Sequence, residues 1–413
     1  MEVVVERCCG IDVHHKSLTA CVLVTALDGT VERHCQTFST MTEGLLALDD
    51  WLESLAVTQV AIESTGVYWQ PVFNVLEATR EVLLVNPRHC KAVPGRKTDV
   101  QDAEWLADLL RHGLLRASFI PPAPIRELRE VLRYRKTLVR ERAQEVNRLH
   151  KVKVLEGANL KLGVVASDIL GASGRQMLTA LVAGEADPAA LAELAKGRLR
   201  AKLPALRQAL TGRVKPHHRL LIERLLAHID FLEESMAVLQ TEVAERLDAV
   251  ADAVTLLQTI PGVGELAAAT IVAEIGTDMS RFPSAAHLAS WAGLCPGNHE
   301  SAGKRSSGKP TGGNPWLKGV LTEVAWSISR LRQQTYLGAQ YHRLARRRGK
   351  RRAVVAVAHS VVVIVYHLLA TKQPYQDLGA DYFDQRDKER LERHHVTRLR
   401  ALGYEVELKP QAA

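Results

Sequence analysis

Residues 10–25 read GIDVHHKSLTACVLVT, two apolar runs on either side of a polar His-His-Lys turn, which is the pattern of two strands joined by a tight connection. A Val-rich opening precedes them. Downstream, a helical pattern near Met41–Leu55 gives way to TQVAIEST at 58–65 and EVLLVNP at 81–87, two further short apolar runs. Strand-like and helix-like patterns that alternate in this way predict an α/β domain over residues 1–120. The prolines of IPPAPI, 120–125, mark its end, and beyond them the pattern is helical for most of the chain.

Acidic residues fall where these elements end. Asp12 follows the first strand, Glu63 closes a later one, and Asp99 and Asp102 form a D-x-x-D in GRKTDVQDAEWLADLL, 95–110. On a helix the last two project from one face. Four carboxylates converging in a small volume stay ionised only beside cations, so the set predicts Mg²⁺ or Mn²⁺, which would orient a phosphate for in-line displacement. Each acid alone reads equally as a turn former or a helix cap. The order strand Asp, strand Glu, helical D-x-x-D, with Arg96 and Lys97 just before, is more specific.

At 413 residues the chain predicts two or three domains, and with 46% hydrophobic and 24% charged residues it has an ordinary globular composition. A net charge of +8 favours a polyanionic partner. Six cysteines without a C-x-x-C spacing predict reduced, mostly buried thiols and a cytoplasmic setting. Charges at Glu2 and Glu6 leave no room for a signal peptide there. Ala353–Ala370 carries no charge over 18 residues; its His and Tyr residues make it a buried core helix rather than a membrane span.

In the helical part, Arg126, Arg129, Arg133, Lys136 and Arg140 recur every three or four residues, a stripe that either tracks a phosphate backbone or is a solvated face. Ile222, Leu225, Ile229, Leu232, Met236, Leu239 and Val243 hold a coiled-coil repeat, to be buried by an antiparallel hairpin with 126–155 or by a second subunit. The stretch 156–215 shows no recognisable chemistry and reads as an insertion. Pro261-Gly262-Val263-Gly264 resembles a helix-hairpin-helix turn, in which backbone amides approach a phosphate, or else a plain helix connector. Arg343 to Arg352 places seven cations in ten residues, Arg346, Arg347 and Arg348 among them, as a phosphate-binding run or a solvated loop. The charged tail from 376 reads as peripheral.

Between helices, residues 282–327 include a polar, glycine-rich loop with Ser301, Ser306 and Ser307 among Lys304, Arg305 and Lys309. Loop serines are ordinarily turn residues. Beside cations that hold a scissile phosphate, and with a base supplied from elsewhere, one of them becomes a nucleophile.

Together the segments GIDVHHKS, AIESTGVYW, VNPRHCKAVPGRKTDVQDAEWLADLL, IPGVGELAAATIVAEIG and SAAHLASWAGLCPGNHESAGKRSSGK resemble the DEDD-type transposases of the insertion sequence one-ten family, relatives of the Piv DNA invertases. The resemblance covers about 1–150 and 255–375. It implies an α/β RNase H/RuvC-like N-terminal domain (1–120), a helical coiled-coil region (121–254, with the insertion at 156–215), and a mostly α-helical C-terminal transposase domain (255–375) before the tail (376–413). It also implies a tetrad of Asp12, Glu63, Asp99 and Asp102, and a nucleophile at Ser301, with Ser306 and Ser307 in reserve. Asn314 joins the cations above as a nucleic-acid contact, and Gly312 stands where the family often carries a basic residue. The implied partners are donor and target double-stranded DNA, a structured noncoding guide RNA and further copies of the chain as dimer or tetramer, with no membrane.

The expected reaction is cleavage and rejoining of DNA through a phosphoserine link, in an active site assembled from both domains by folding or dimerisation. Its rivals are a metal-only nuclease of resolvase type, an actin-like sugar kinase suggested by the IDVHHKS turn, and a catalytically silent scaffold. The kinase reading finds no second glycine-rich phosphate loop in the chain.

Overall fold

The computed structural model describes residues 2–26, 28–63, 66–86, 99–149, 154–297, 299–301, 304–307, 312–331 and 334–408. The chain divides into two compact units, Met1–Ile120 and Pro121–Ala413.

Unit 1 is a five-stranded sheet with helices on both faces. Its strands are β1 (Arg7–Val13), β2 (Ser17–Thr25), β3 (Val31–Ser39), β4 (Gln59–Glu63) and β5 (Glu81–Val85), and its helices α1 (Thr42–Ser54), α2 (Trp69–Leu76) and α3 (Asp99–Arg111). Strand order is β3-β2-β1-β4-β5. β1–β2 and β2–β3 are antiparallel, whereas β1–β4 and β4–β5 are parallel. This is the RNase H-type arrangement. Side chains alternate across the pleat, so Cys9, Ile11, Val13, Val60 and Ile62 face Leu45, Leu48 and Leu52 of α1 and Val72 and Leu76 of α2. The opposite face sets Cys8, Ala61 and Val85 against Leu106, Ala107 and Leu110 of α3.

The cysteine expectation is corrected in unit 1. Cys21 and Cys35 are register partners on β2 and β3, with Cα atoms 4.2 Å apart, and they are joined as a disulfide. Pairing across adjacent strands leaves no trace in linear spacing, which is why the sequence hides it. Cys8 and Cys9 are free and buried, Cys295 is free and half-buried, and Cys90 lies outside the described residues.

Unit 2 is helical. α4 (Ala123–Asn147) packs against a 31-residue helix, Pro216–Arg246, along an antiparallel seam. Residue numbers run in opposite senses along it: Glu127 pairs with Arg246, Arg142 with Glu233, and His228 with Glu145. Ile222, Leu226, Ile229, Leu232 and Val243 are buried on the long helix, so its apolar repeat is covered within the chain. Between the two arms, α5 (Ala172–Ala183), α6 (Pro188–Glu193) and α7 (Leu203–Leu210) enclose a core of their own with Ile222 and Leu226 at the root of the long helix, which we number α8.

After α9 (Ala251–Gln258), α10 (Glu265–Ile275) and α11 (Ala285–Trp291) come a two-stranded hairpin of β6 (His299–Ser301) and β7 (Lys304–Ser307), then α12 (Pro315–Arg330), α13 (Tyr336–Arg348) and α14 (Lys350–Thr371). α14 is long and apolar enough to cross a membrane. It buries nine residues, Ala353 to Leu369, against α11, α12 and α13, which makes it a core helix of this unit. The tail forms α15 (Tyr382–Arg386) and α16 (Lys388–Ala401). It is anchored to α13, where Phe383 stacks on Tyr336 with ring centroids 5.1 Å apart and Asp387 accepts from Arg343 at 2.8 Å.

Candidate functional site

The strongest site lies at one end of the unit 1 sheet. β1 and β4 run parallel, with Ile11 beside Ile62 as their last paired residues, so Asp12 and Glu63 follow on neighbouring strands at the same end. Pleat alternation fixes their face. Cys8 and Ala61 lie against α3, and Asp12 and Glu63 follow them at even spacing, on the same side.

α3 is seated by Gly10. A Cβ built there would come within 2.1 Å of the Ala103 carbonyl oxygen and 2.5 Å of the Ala107 nitrogen, so only glycine admits the helix backbone. Cys8 Sγ donates to the Ala107 carbonyl at 3.3 Å. Contacts near Ala107 by Cys8 and near Ala103 by Gly10 show that α3 runs against β1, bringing its first turn to Asp12. Asp102 precedes Ala103 directly and is half-buried, and Asp99 opens the helix. The Asp99 side chain, Arg96 and Lys97 lie outside the described residues.

Asp12 is only 8% exposed. His14 Nε2 stands 3.3 Å from Asp12 Oδ2 and forms an ion pair when protonated. His15 meets Tyr68 edge-on, with ring centroids 5.4 Å apart. These His and Tyr residues were missed as site neighbours, although the His-His pair sits in the opening turn of the sequence.

Among the described residues no three His, Cys, Asp or Glu side chains are grouped closely enough to hold a metal ion. The donor set of the site is nonetheless all carboxylate, and a buried Asp12 with Glu63 on the same face suits a hard divalent ion rather than a thiolate- or imidazole-seeking one.

In unit 2 two members of the α4 stripe, Arg129 and Arg133, turn inward. Arg129 Nε and an Arg129 Nη donate to the carbonyl oxygens of Ala273 and Glu274 at 2.8 and 2.9 Å. Arg133 grips both carboxylate oxygens of Glu274 at 2.8 and 2.7 Å. Desolvation lowers the Arg129 pKa to about 10 despite the neighbouring carboxylate. Lys136 pairs with Glu323 at 2.5 Å, Arg140 lies 4.7 Å over the Trp316 ring, and Arg126 donates to the Pro121 carbonyl. Asn314 caps α12 by accepting from the Trp316 and Leu317 amides and donates to Glu274 at 2.6 Å. These groups hold the helices together. Glu274, 1% exposed, is the hub that sequence reading missed; an acid inside the apolar run ATIVAEI was its only signal.

The helix-hairpin-helix turn is likewise used for packing. Gly262 has φ +84°, and a Cβ there would approach Ile328 Cγ1 at 2.8 Å. Gly264, at the N-cap of α10, faces open space.

The serine segment, read as a loop, is a hairpin. Ser301 ends β6 opposite Lys304, and Glu300 pairs with Arg305. Ser306 and Ser307 lie farther along β7. The side chains of these residues are outside the described set, as is Lys309. The basic run is the exposed end of α13, closed at Gly349 with φ +84°, and the start of α14, rather than a loop. Arg343, Arg346 and Arg347 line a cleft there with Asp381, Asp384 and Asp387 of the tail.

Two family descriptions match the chain, a transposase domain of the DEDD IS110 type over residues 9–158 and the transposase IS116/IS110/IS902 family over residues 254–342. A putative transposase y4pF/y4sB of Sinorhizobium fredii is 26% identical over 339 residues, 79% of this chain and 76% of that one. The transposase for insertion sequence element IS1111A of Coxiella burnetii is 26% identical over 334 residues, 78% of this chain and 80% of that one. A Thermus thermophilus RuvC structure aligns with 27% of this chain and 99% of its own at 15% identity, with a TM-score of 0.22.

Proposed function

This chain belongs to the IS110 family of transposases, and from that premise we propose that it cuts and rejoins DNA through a covalent serine link, with Asp12, Glu63, Asp99 and Asp102 holding a divalent ion. The observation that carries the reading is the shared face of Asp12 and Glu63, to which α3 delivers its first turn. When bound there, Mg²⁺ or Mn²⁺ would draw charge from a phosphate and stabilise attacking and leaving oxygens.

The chain's own residues do the rest. The Ser301 oxygen attacks the scissile phosphorus, gives up its proton, and displaces a DNA hydroxyl. The hydroxyl of a second DNA end then attacks the phosphoserine, which restores the serine and closes the new strand. The phosphoester energy is kept throughout, so no nucleotide triphosphate is consumed. Lys304 and Arg305, next to Ser301 in sequence and in the hairpin, supply positive charge for the phosphate. A structured RNA encoded beside the gene selects donor and target, and copies of the chain assemble on the two duplexes within the bacterial nucleoid. Supporting this reading are the two family domains in order and the carboxylate face. Arg129, Arg133 and Asn314 are engaged with Glu274 and its backbone, so in this reading the phosphate contacts fall first to the other cations.

The test is adduct trapping on denaturing gels with labelled DNA. Wild type yields a protein–DNA band, Ser301→Ala yields none, and Asp12→Asn loses at least about a hundredfold in rate. An adduct that persists in Ser301→Ala would move the nucleophile to Ser306 or Ser307; metal-dependent nicking with no adduct in any variant would replace the reading by a water-using nuclease.

A further inference from the structure

Residues 194–222 hold eight Lys and Arg and no Asp or Glu, between Glu193 and Glu223. The stretch lies in the part of the chain, 159–253, that neither family description matches. It is folded: Ala195, Leu206, Ala209, Leu210 and Ile222 are buried in the local core, with Leu191 and Leu178 from α6 and α5 beside them. The apolar side is therefore spent on folding, and seven of the eight cations are exposed, Arg219 being half-buried.

Some of the charge is answered locally. Arg200 and Arg207 share the single carboxylate of Glu193, at 3.3 and 3.2 Å. Lys202 donates to the Val165 carbonyl and Arg219 to the Gly184 carbonyl, contacts that leave their charge uncompensated. Lys196, Arg198, Arg213 and Lys215 are exposed and meet no carboxylate among the described residues. An acid-free surface with six cations that meet no carboxylate among the described residues, four of them making no side-chain contact to a carbonyl there either, is costly in self-repulsion unless a polyanion covers it. The α4–α8 seam, by contrast, pairs its cations, Arg142 with Glu233 and Arg246 with Glu127.

We propose that this segment is a second, sequence-independent docking surface for the phosphate backbone of duplex DNA flanking the exchange site. The stretch 194–222 has no Phe, Tyr or Trp, and its one exposed ring, His217, already packs on the buried His218 with ring centroids 4.0 Å apart, so its chemistry reads backbone charge rather than stacked bases. Choosing DNA rests on the function proposed above, in which DNA is the substrate; the binding measurement needs no cleavage, so a failure of the serine chemistry and a failure of this surface are separable.

The experiment measures the affinity of the full chain for a random-sequence duplex as salt rises, against Lys196→Gln/Arg198→Gln/Arg213→Gln/Lys215→Gln. Each phosphate contact contributes a slope of about 0.9 in log K against log salt. The fourfold variant should show a slope shallower by about 3 to 4, and between about 50 and 200 mM salt it should lose roughly a hundredfold less affinity than wild type does. Arg213→Gln/Lys215→Gln, with two substitutions, should show half that change with an unaltered circular dichroism spectrum. A control neutralising Lys388, Arg393, Arg398 and Arg400 in the tail removes the same formal charge and should leave the slope within about 1 of wild type. The proposal is overturned if the segment variant keeps the wild-type slope, if the tail control changes it equally, or if the loss appears with a structured RNA and not with duplex DNA.

Discussion

Glu274 shows what one side chain decides in this molecule. It is a carboxylate almost wholly removed from water, which is tolerable only because Arg133 grips both oxygens, Asn314 donates a third bond and Arg129 holds the adjacent backbone. Removing one partner of a buried pair leaves the other charge unpaired, at a cost of about 3–5 kcal/mol. Glu274→Ala should therefore lower unfolding stability by that amount in urea titrations, with Glu274→Gln intermediate because the amide still hydrogen bonds. A loss below about 1 kcal/mol would mean that the arginines reach solvent when the carboxylate is gone. The same residue shows what the α4 stripe left open: spacing shows that cations share a face, but says nothing of what the face meets.

Among elements, the placing of α3 on the sheet matters most to the site. Asp12 and Glu63 belong to strands, Asp99 and Asp102 to a helix, and Gly10 is the point where the two backbones close on each other. Gly10→Ala would force α3 outward, at about 1–3 kcal/mol for overpacking, and carry Asp102 away from Asp12. The expected result is a modest fall in thermal stability together with a much larger loss of the proposed DNA cleavage, because the geometry of a carboxylate cluster fails before the fold does. Full activity in the Gly10→Ala protein would refute the claim that this contact sets the carboxylates. Strand and helix periods made these elements legible in the sequence, and the D-x-x-D at the start of α3 pointed to the site. The glycine contact itself was not legible, since a glycine within an apolar strand run says nothing of the helix that will close on it.

For the molecule as a whole, stability against pH follows from protons bound differently in folded and unfolded chains. Burial pushes the Cys8 thiol from its ordinary 9.0 to about 12 and raises Cys9 as well. Because the folded pKa is raised, the contribution is complete below about pH 9 and is lost as pH climbs toward the folded value, when only the unfolded chain releases its protons. Melting temperature should fall between about pH 9 and 11 in wild type and fall less in Cys8→Ala/Cys9→Ala; parallel curves would assign the alkaline loss to other groups. From sequence alone came the α/β first unit, the helical remainder, the order of the four acids and the family, because periodicity and motif order are properties of the linear chain. Folding alone decided which cations are buried against Glu274, that Cys21 meets Cys35, that the apolar repeat of α8 is covered by α4, and that residues 194–222 turn seven of their eight cations away from a core. Each of those depends on contacts between residues distant in sequence, and the pattern of any one segment carries no record of the segment that will pack on it.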